Sequence, residues 1–326
     1  MRRASHKWKS LSGTSRVTLA LAKAGAIAAV TVGVSSASTV GPGHDGASAP
    51  KPRDARGKTH PFGLGALPSD STWRTTALNR TVEPNLSAMA PRPKADPTES
   101  GRKRQALPAR VDLTKYAATP GNQGQVGSCV AWAIDYSAYS ILEHEQGITG
   151  SPQAPMYTYS QIVKGQNVGT SPQQHFRIAT SQGVDSKSHY WQGDFDYTAQ
   201  PTDGEKLNAS KWKLSGYTPL HTGSRIRVEV RAALAQGEPV VISIPVYNSF
   251  FSLTAREAAS YTYSPTAGEP FAGGHEVTIV GYGSQGVRVE NSWGTNWGDR
   301  GYVNLSWDFL ARQVREANAV GRLVKK

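Results

Sequence analysis

One sulfur, one imidazole and one amide in this 326-residue chain sit in settings that suit shared chemistry. The sole cysteine, Cys129, follows the turn-rich Gln123-Gly124-Gln125-Val126-Gly127-Ser128 and opens an apolar run with helical spacing. A thiol attacks only as thiolate, and its ordinary pKa is too high for that at neutral pH. The positive end of a helix dipole favours the thiolate, and an adjacent imidazole can hold it as an ion pair. The imidazole in turn needs a third group to orient it. His275 follows Gly273-Gly274 and should begin a strand, while Asn291 closes the alternating run from Val287. Adjacent strands would set His275 beside Asn291, the amide oxygen accepting from one ring nitrogen and the other nitrogen facing Cys129. Taken singly, each residue has a plainer reading. A lone cysteine is often a small buried hydrophobe, the chain has seven other histidines, and asparagine is a common turn former.

The elements that must position these residues are legible in outline. Apolar residues at three- and four-residue spacing predict a helix from about Cys129 to Gln146, stopped by Gly147. Further helices are expected over Pro172–Gln182 and over Ser224–Gln236, the latter capped by Ser224. The texture then turns to β-branched and alternating runs at 239–246, 276–282, 287–291 and 301–305, separated by turn residues. A helical first half and a sheet-rich second half follow.

Charge divides the chain. Residues 1–106 hold 17 Lys+Arg against 6 Asp+Glu, and the remaining 220 hold 19 against 18. The net +12 therefore belongs to the N-terminal segment, which argues against a nucleic-acid groove in the folded part. Arg2, Arg3, Lys7, Lys9 and Arg16, then the mostly apolar Val17–Val34 and the small residues Ser35–Ser38, fit a signal peptide over 1–38. Lys23 interrupts the apolar run, which disfavours a membrane-spanning helix. No stable membrane span is expected once the signal is removed. Residues 39–106 are rich in Gly, Pro, Ser and basic residues without apolar periodicity, and read as a disordered basic linker or pro-segment. Such a segment can touch an anionic cell wall. With one cysteine, no internal disulfide is possible.

The chain resembles the papain family of cysteine peptidases. Gln123-Gly124 with Gly127-Ser128-Cys129 is similar to the family's nucleophile box. Gly274-His275 with Val277, Ile279, Val280, Gly281, Tyr282 and Gly283 is similar to its histidine strand. Asn291-Ser292-Trp293-Gly294-Thr295 with Trp297-Gly298 and Gly301-Tyr302 is similar to its asparagine box. The order is kept, and His275 lies 146 residues after Cys129. The resemblance implies an α+β papain-like fold over residues 107–326, with a mainly helical half to about 220 and a β-barrel-like half beyond it. The active site would lie in the cleft between them. It further implies Cys129 as nucleophile, His275 as general base and then acid, Asn291 as orienter, and Gln123 as an oxyanion donor beside the Cys129 N–H. Trp293 would cover the His275–Asn291 bond.

The implied activity is hydrolysis of peptide bonds through an acyl-enzyme by a secreted, monomeric enzyme, without cofactor or metal, acting on peptides or proteins. Transfer of the acyl group to an amine, as a transpeptidase or amidase of cell-wall peptides, is the alternative. A non-catalytic peptide-binding relative is a third reading. Three departures from the family stand out. All the usual disulfides are missing, so packing alone must hold the cleft wall. Glu276 follows the histidine in place of a small apolar residue and is expected to face solvent. No helical pro-domain is visible in 39–106, so tight self-inhibition by that segment is not expected. Asn167-Val168-Gly169 would match the wall that pairs with substrate backbone.

Overall fold

The computed structural model describes residues 60–71 and 106–324. The segment read as a signal peptide, 1–38, and most of 39–106 lie outside these residues.

The helical half is built around one helix that starts at Cys129. It runs as α-helix over Cys129–Ala131, as π-helix over Trp132–Ala138, and as α-helix again over Tyr139–Gln146. Gly147 ends it with φ of 65°. Its first fifteen residues are buried on every side, which explains why aromatic, aliphatic and small residues surround the axis rather than forming one stripe. Two helices pack near it. Pro155–Val163 starts with proline in its first turn, and Pro172–Ser181 starts with a capping box between Ser171 and Gln174. The helix expected from Ser224 begins instead as a 3-10 turn at Gly223–Arg225 and continues as α-helix over Ile226–Ala235, without a Ser224 side-chain cap.

The second half is one antiparallel sheet. Its strands are β1 (Val111–Asp112), β2 (Tyr217–Pro219), β3 (Val240–Tyr247), β4 (Phe271–Tyr282), β5 (Gly286–Glu290), β6 (Tyr302–Ser306) and β7 (Glu316–Val320). The order is β2-β7-β3-β4-β5-β6, with β1 also paired to β4. The β-branched β3 pairs along β4 from Val240 opposite Ile279 to Pro245 opposite Gly274. Because of this pairing β4 starts at Phe271, and His275 lies inside the strand rather than at its head.

Two apolar cores result. One gathers Val240, Ile242, Ile244, Val277, Ile279, Trp293, Trp297 and Trp307 on one face of the sheet. The other gathers Cys129, Val130, Ile134, Tyr139, Tyr157 and Phe176 of the helical half with Val241 and Val320 of the sheet. The sheet is thus covered on both faces. Side-chain bonds tie the halves: Thr278 Oγ1 donates to the Ala133 carbonyl at 2.8 Å, and Ser137 Oγ donates to Glu290 Oε1 at 2.8 Å. Among the described residues no helix is long and apolar enough to cross a membrane.

Buried carboxyls link this packing to pH. Burial pushes Glu290 and Glu143 up to about 8 and Glu238 to about 7, from an ordinary 4.5. The folded chain then keeps protons that the unfolded chain releases. The stability tied to these groups is fully present below about pH 4.5 and is lost as pH rises through their folded values. Thermal melts should show Tm falling between about pH 5 and pH 8. Glu290→Gln should shrink that fall, by roughly 2–4 °C per kcal/mol recovered. A variant curve parallel to that of the unaltered chain would refute this assignment.

Candidate active site

The site forms where the start of the Cys129 helix meets β4. Asn291 follows the last residue of β5 and reaches His275, with Nε2 of the ring 2.7 Å from Asn291 Oδ1. That oxygen also accepts from the Ser292 N–H at 2.8 Å. An amide oxygen only accepts, so Nε2 carries the proton and donates, and Nδ1 of the neutral ring keeps its lone pair. Nδ1 is buried and has no hydrogen-bond partner among the described residues. Trp293 stacks on the imidazole with ring centroids 4.6 Å apart and excludes water from it. Burial lowers the imidazole from 6.5 to about 4, and the Asn291 bond opposes that shift only in part.

Cys129 is wholly buried as the first residue of its helix. Burial pushes its thiol up to about 12, while the backbone N–H groups of Glu276, Gly65 and Val130 pull it down. The thiol and the imidazole are therefore both neutral here, whereas the helix position alone favours thiolate. The physical reason is desolvation.

What excludes the solvent is residues 60–71. This strap crosses the cleft between the two halves. The Gly63 N–H donates to the Gly124 carbonyl at 2.8 Å, and the Gly65 and Ala66 N–H groups donate to the Gly274 carbonyl at 3.1 Å. Thr170 pairs with it on the opposite wall, its N–H to the Gly65 carbonyl at 2.8 Å and its carbonyl to the Leu67 N–H at 2.9 Å. Phe62 stacks on Trp293 at 4.8 Å. Close approach explains the strap's glycines. A Cβ on Gly63 would lie 2.2 Å from the Val126 carbonyl oxygen, and one on Gly65 would lie 2.1 Å from that of Gly127. Part of the region read as a disordered basic linker or pro-segment is thus ordered and seated in the cleft, and residues 60–71 cover Cys129 without a helical pro-domain. Backbone hydrogen bonds and glycine contacts achieve the covering, which apolar periodicity does not reveal.

Gln123 lies beside the strap, fully buried. Its Nε2 donates to the Val126 carbonyl at 2.8 Å and to the Gly63 carbonyl at 3.2 Å, while its Oε1 accepts from Ser292 Oγ at 2.6 Å. A strap carbonyl thus takes the amide donor that the resemblance reserves for an oxyanion. Asn167 holds the Gly127 N–H through Oδ1 at 2.8 Å, so the residue that pairs with peptide backbone on this wall is Thr170. Glu276 corrects another expectation. It is 1% exposed, turned into the seam and hydrogen-bonded by Ser243 Oγ. From His275 onward its strand has no solvent face, because the helical half packs on the side opposite Val277. Thr170 carries no sequence signal of its own, since it acts through a partner far along the chain. Among the described residues no cluster of three or more His, Cys, Asp or Glu could hold a metal ion.

Comparison with known proteins agrees with this geometry. The family model for papain family cysteine proteases matches residues 107–318. A cathepsin L-like proteinase of Fasciola hepatica is 28% identical over 218 residues, covering 62% of this chain and 61% of that protein. Cathepsin K of Gallus gallus is 28% identical over 225 residues, covering 66% of this chain and 62% of that protein. This chain thus matches about six-tenths of each relative's length. Among solved structures, xylellain, a cysteine protease from Xylella fastidiosa, superposes with TM-score 0.66 at 21% identity, over 85% of this chain and all of that one. Bromelain from Ananas comosus superposes with TM-score 0.53 at 20% identity, over 66% of this chain and all of that one. The α+β architecture of this chain is therefore the papain-like fold, and the chain belongs to the papain family of cysteine proteases.

Proposed function

We propose that the chain is a latent cysteine peptidase, held inactive by residues 60–71 and acting on peptide bonds once they leave. The observation that carries this reading is the buried His275–Asn291 bond under Trp293, which fixes the ring with its basic Nδ1 unpartnered. In the open cleft, water restores the usual balance between thiol and imidazole, and Nδ1 takes the Cys129 proton. The thiolate attacks the peptide carbonyl. The Gln123 amide and the Cys129 N–H stabilise the oxyanion in place of the Gly63 carbonyl contact. His275 then protonates the leaving amine, and the same nitrogen activates the water that releases the acyl group. The basic leader and apolar run at 1–38 support export of the chain as a secreted enzyme, and the basic excess of 39–106 supports contact with an anionic cell wall.

Three outcomes are expected under reducing conditions. In the Gly65→Val chain, in which the added side chain displaces the strap, an epoxide thiol inhibitor should label Cys129, and adding Cys129→Ala should abolish hydrolysis of a broad peptide pool; hydrolysis at the rate of the Gly65→Val chain would sink the reading. Gln123→Ala in the same Gly65→Val chain should lower kcat about 100- to 1,000-fold, read from steady-state kinetics, with Cys129 labelling retained. Gly65→Val should force the strap off the Gly127 carbonyl and raise activity and labelling rate at least roughly tenfold, as removal of about 1.4 kcal/mol of strap binding requires. Equal rates in the two chains would remove the inhibitory role of residues 60–71.

A further inference from the structure

Four buried side chains form a single file between the Cys129 helix and the wall that pairs with peptide. Asp135 comes from the π-helical stretch Trp132–Ala138, Thr158 from the helix Pro155–Val163, and His175 from the helix Pro172–Ser181. Thr170 stands one residue before the cap of that last helix. All four have zero exposure. Thr158 Oγ1 donates to Asp135 Oδ2 and lies 2.7 Å from His175 Nδ1, and Thr170 Oγ1 lies 2.8 Å from His175 Nε2.

Counting hydrogens gives the file a direction. Burial lowers His175 to about 3, so its ring is neutral and carries one N–H. Thr158 has a single hydrogen and gives it to Asp135. It therefore accepts from the His175 Nδ1–H, which leaves Nε2 to accept from the Thr170 hydroxyl. Every hydrogen points toward Asp135, and each link fixes the next.

Neither stability nor capping calls for this arrangement. The surrounding core is apolar, with Tyr139, Met156, Tyr157 and Phe176, and apolar groups of the same shape in place of both partners of a buried bond can be neutral or stabilising. Ser171 and Gln174 already close the start of the helix with a capping box. The file ends instead on the residue whose N–H and carbonyl hold the strap, at 2.8 and 2.9 Å. Asn167 and Tyr159 secure the wall just before it, through the Gly127 N–H and the Val168 carbonyl. With one cysteine in the chain, no internal disulfide can anchor Thr170.

We infer that Asp135, Thr158 and His175 are positioning residues, which hold the Thr170 main chain in register with the helix that carries Cys129 so that a paired peptide meets the sulfur. The inference rests on the peptidase reading of the cleft. It applies to substrate and strap alike, because both would use the same N–H and carbonyl.

The test reads binding apart from chemistry. Full-length chain carrying Gly65→Val and Cys129→Ala is titrated with a fluorescent peptide of the strap's own sequence, residues 60–71. Adding Thr158→Val, which keeps the shape and removes the central hydroxyl, should weaken binding roughly tenfold. Thr158→Ser keeps the hydroxyl and should restore it. Thr170→Val cuts the file at its other end, spares the main chain and should weaken binding alike. The two Val substitutions together should do no more than one, whereas independent sites would multiply. With Cys129 intact, the Gly65→Val chain should show the Thr158→Val effect mainly in KM rather than kcat on a peptide that it cleaves. With Gly65 intact as well, Thr158→Val should speed epoxide labelling of Cys129 by a similar factor, because the strap loses the same hold. Equal speeding in the Gly65→Val chain would mark a general loosening and overturn the inference. Binding unchanged by both Thr158→Val and Thr170→Val would overturn it too, as would effects that multiply. Weakened binding without cleavage by any chain sinks the peptidase reading and keeps the file; cleavage with unweakened binding sinks the file alone.

Discussion

Helix and sheet are joined through a seam that contains polar groups, and everything at the site depends on those groups finding each other. The π-helical stretch Trp132–Ala138 sits at this seam. It offers the Ala133 carbonyl to Thr278 and the Ser137 hydroxyl to Glu290. Each is a buried donor or acceptor that would cost roughly 1–3 kcal/mol if left unmade. Together they fix how Cys129, on the turn before, meets β4. A continuous α-helix would turn these two residues differently relative to the sheet, since the π-turn widens the spacing of the groups it presents.

The same low-dielectric seam decides which charges can exist. With the strap seated, desolvation outweighs the helix dipole, so the thiol stays protonated and the imidazole stays neutral. The orienting bond from His275 to Asn291 is nonetheless complete, along with its indole cover. The His275–Asn291 pair is thus assembled while thiol and imidazole are both neutral. The backbone pairs that hold the strap involve the Gly274 carbonyl next to the histidine and the Thr170 wall, so residues 60–71 use the main-chain groups that surround Cys129.

Much of this was legible in the amino-acid order. The Cys129 helix was readable from its spacing and its Gly147 stop, β3 from its β-branched run and β5 from its alternation, because each owes its burial to local pattern. The order of Cys129, His275 and Asn291 with their flanking glycines and Trp293 carried the family. Other parts escaped for definable reasons. β7, Glu316–Val320, lies outside the runs expected as strands, and its neighbours β2 and β3 supply the pairing that makes it one. Glu276 follows the alternation of its strand outward, but outward here means toward the helical half. The strap has no periodicity, since glycine approach and main-chain bonds, which any residue can make, fix it in place.

The solitary sulfur has a chemical consequence. A fold without disulfides loses nothing in the reducing surroundings that a thiol nucleophile prefers, so the conditions that keep it competent do not threaten its frame. Outside the cell the hazard runs the other way, because accessible thiolates climb through sulfenic to irreversible sulfinic and sulfonic acids. A neutral thiol enclosed at zero exposure resists that ladder on both counts, ionisation and access. The peptide laid over Cys129 therefore keeps the sulfur both protonated and out of reach of oxidants.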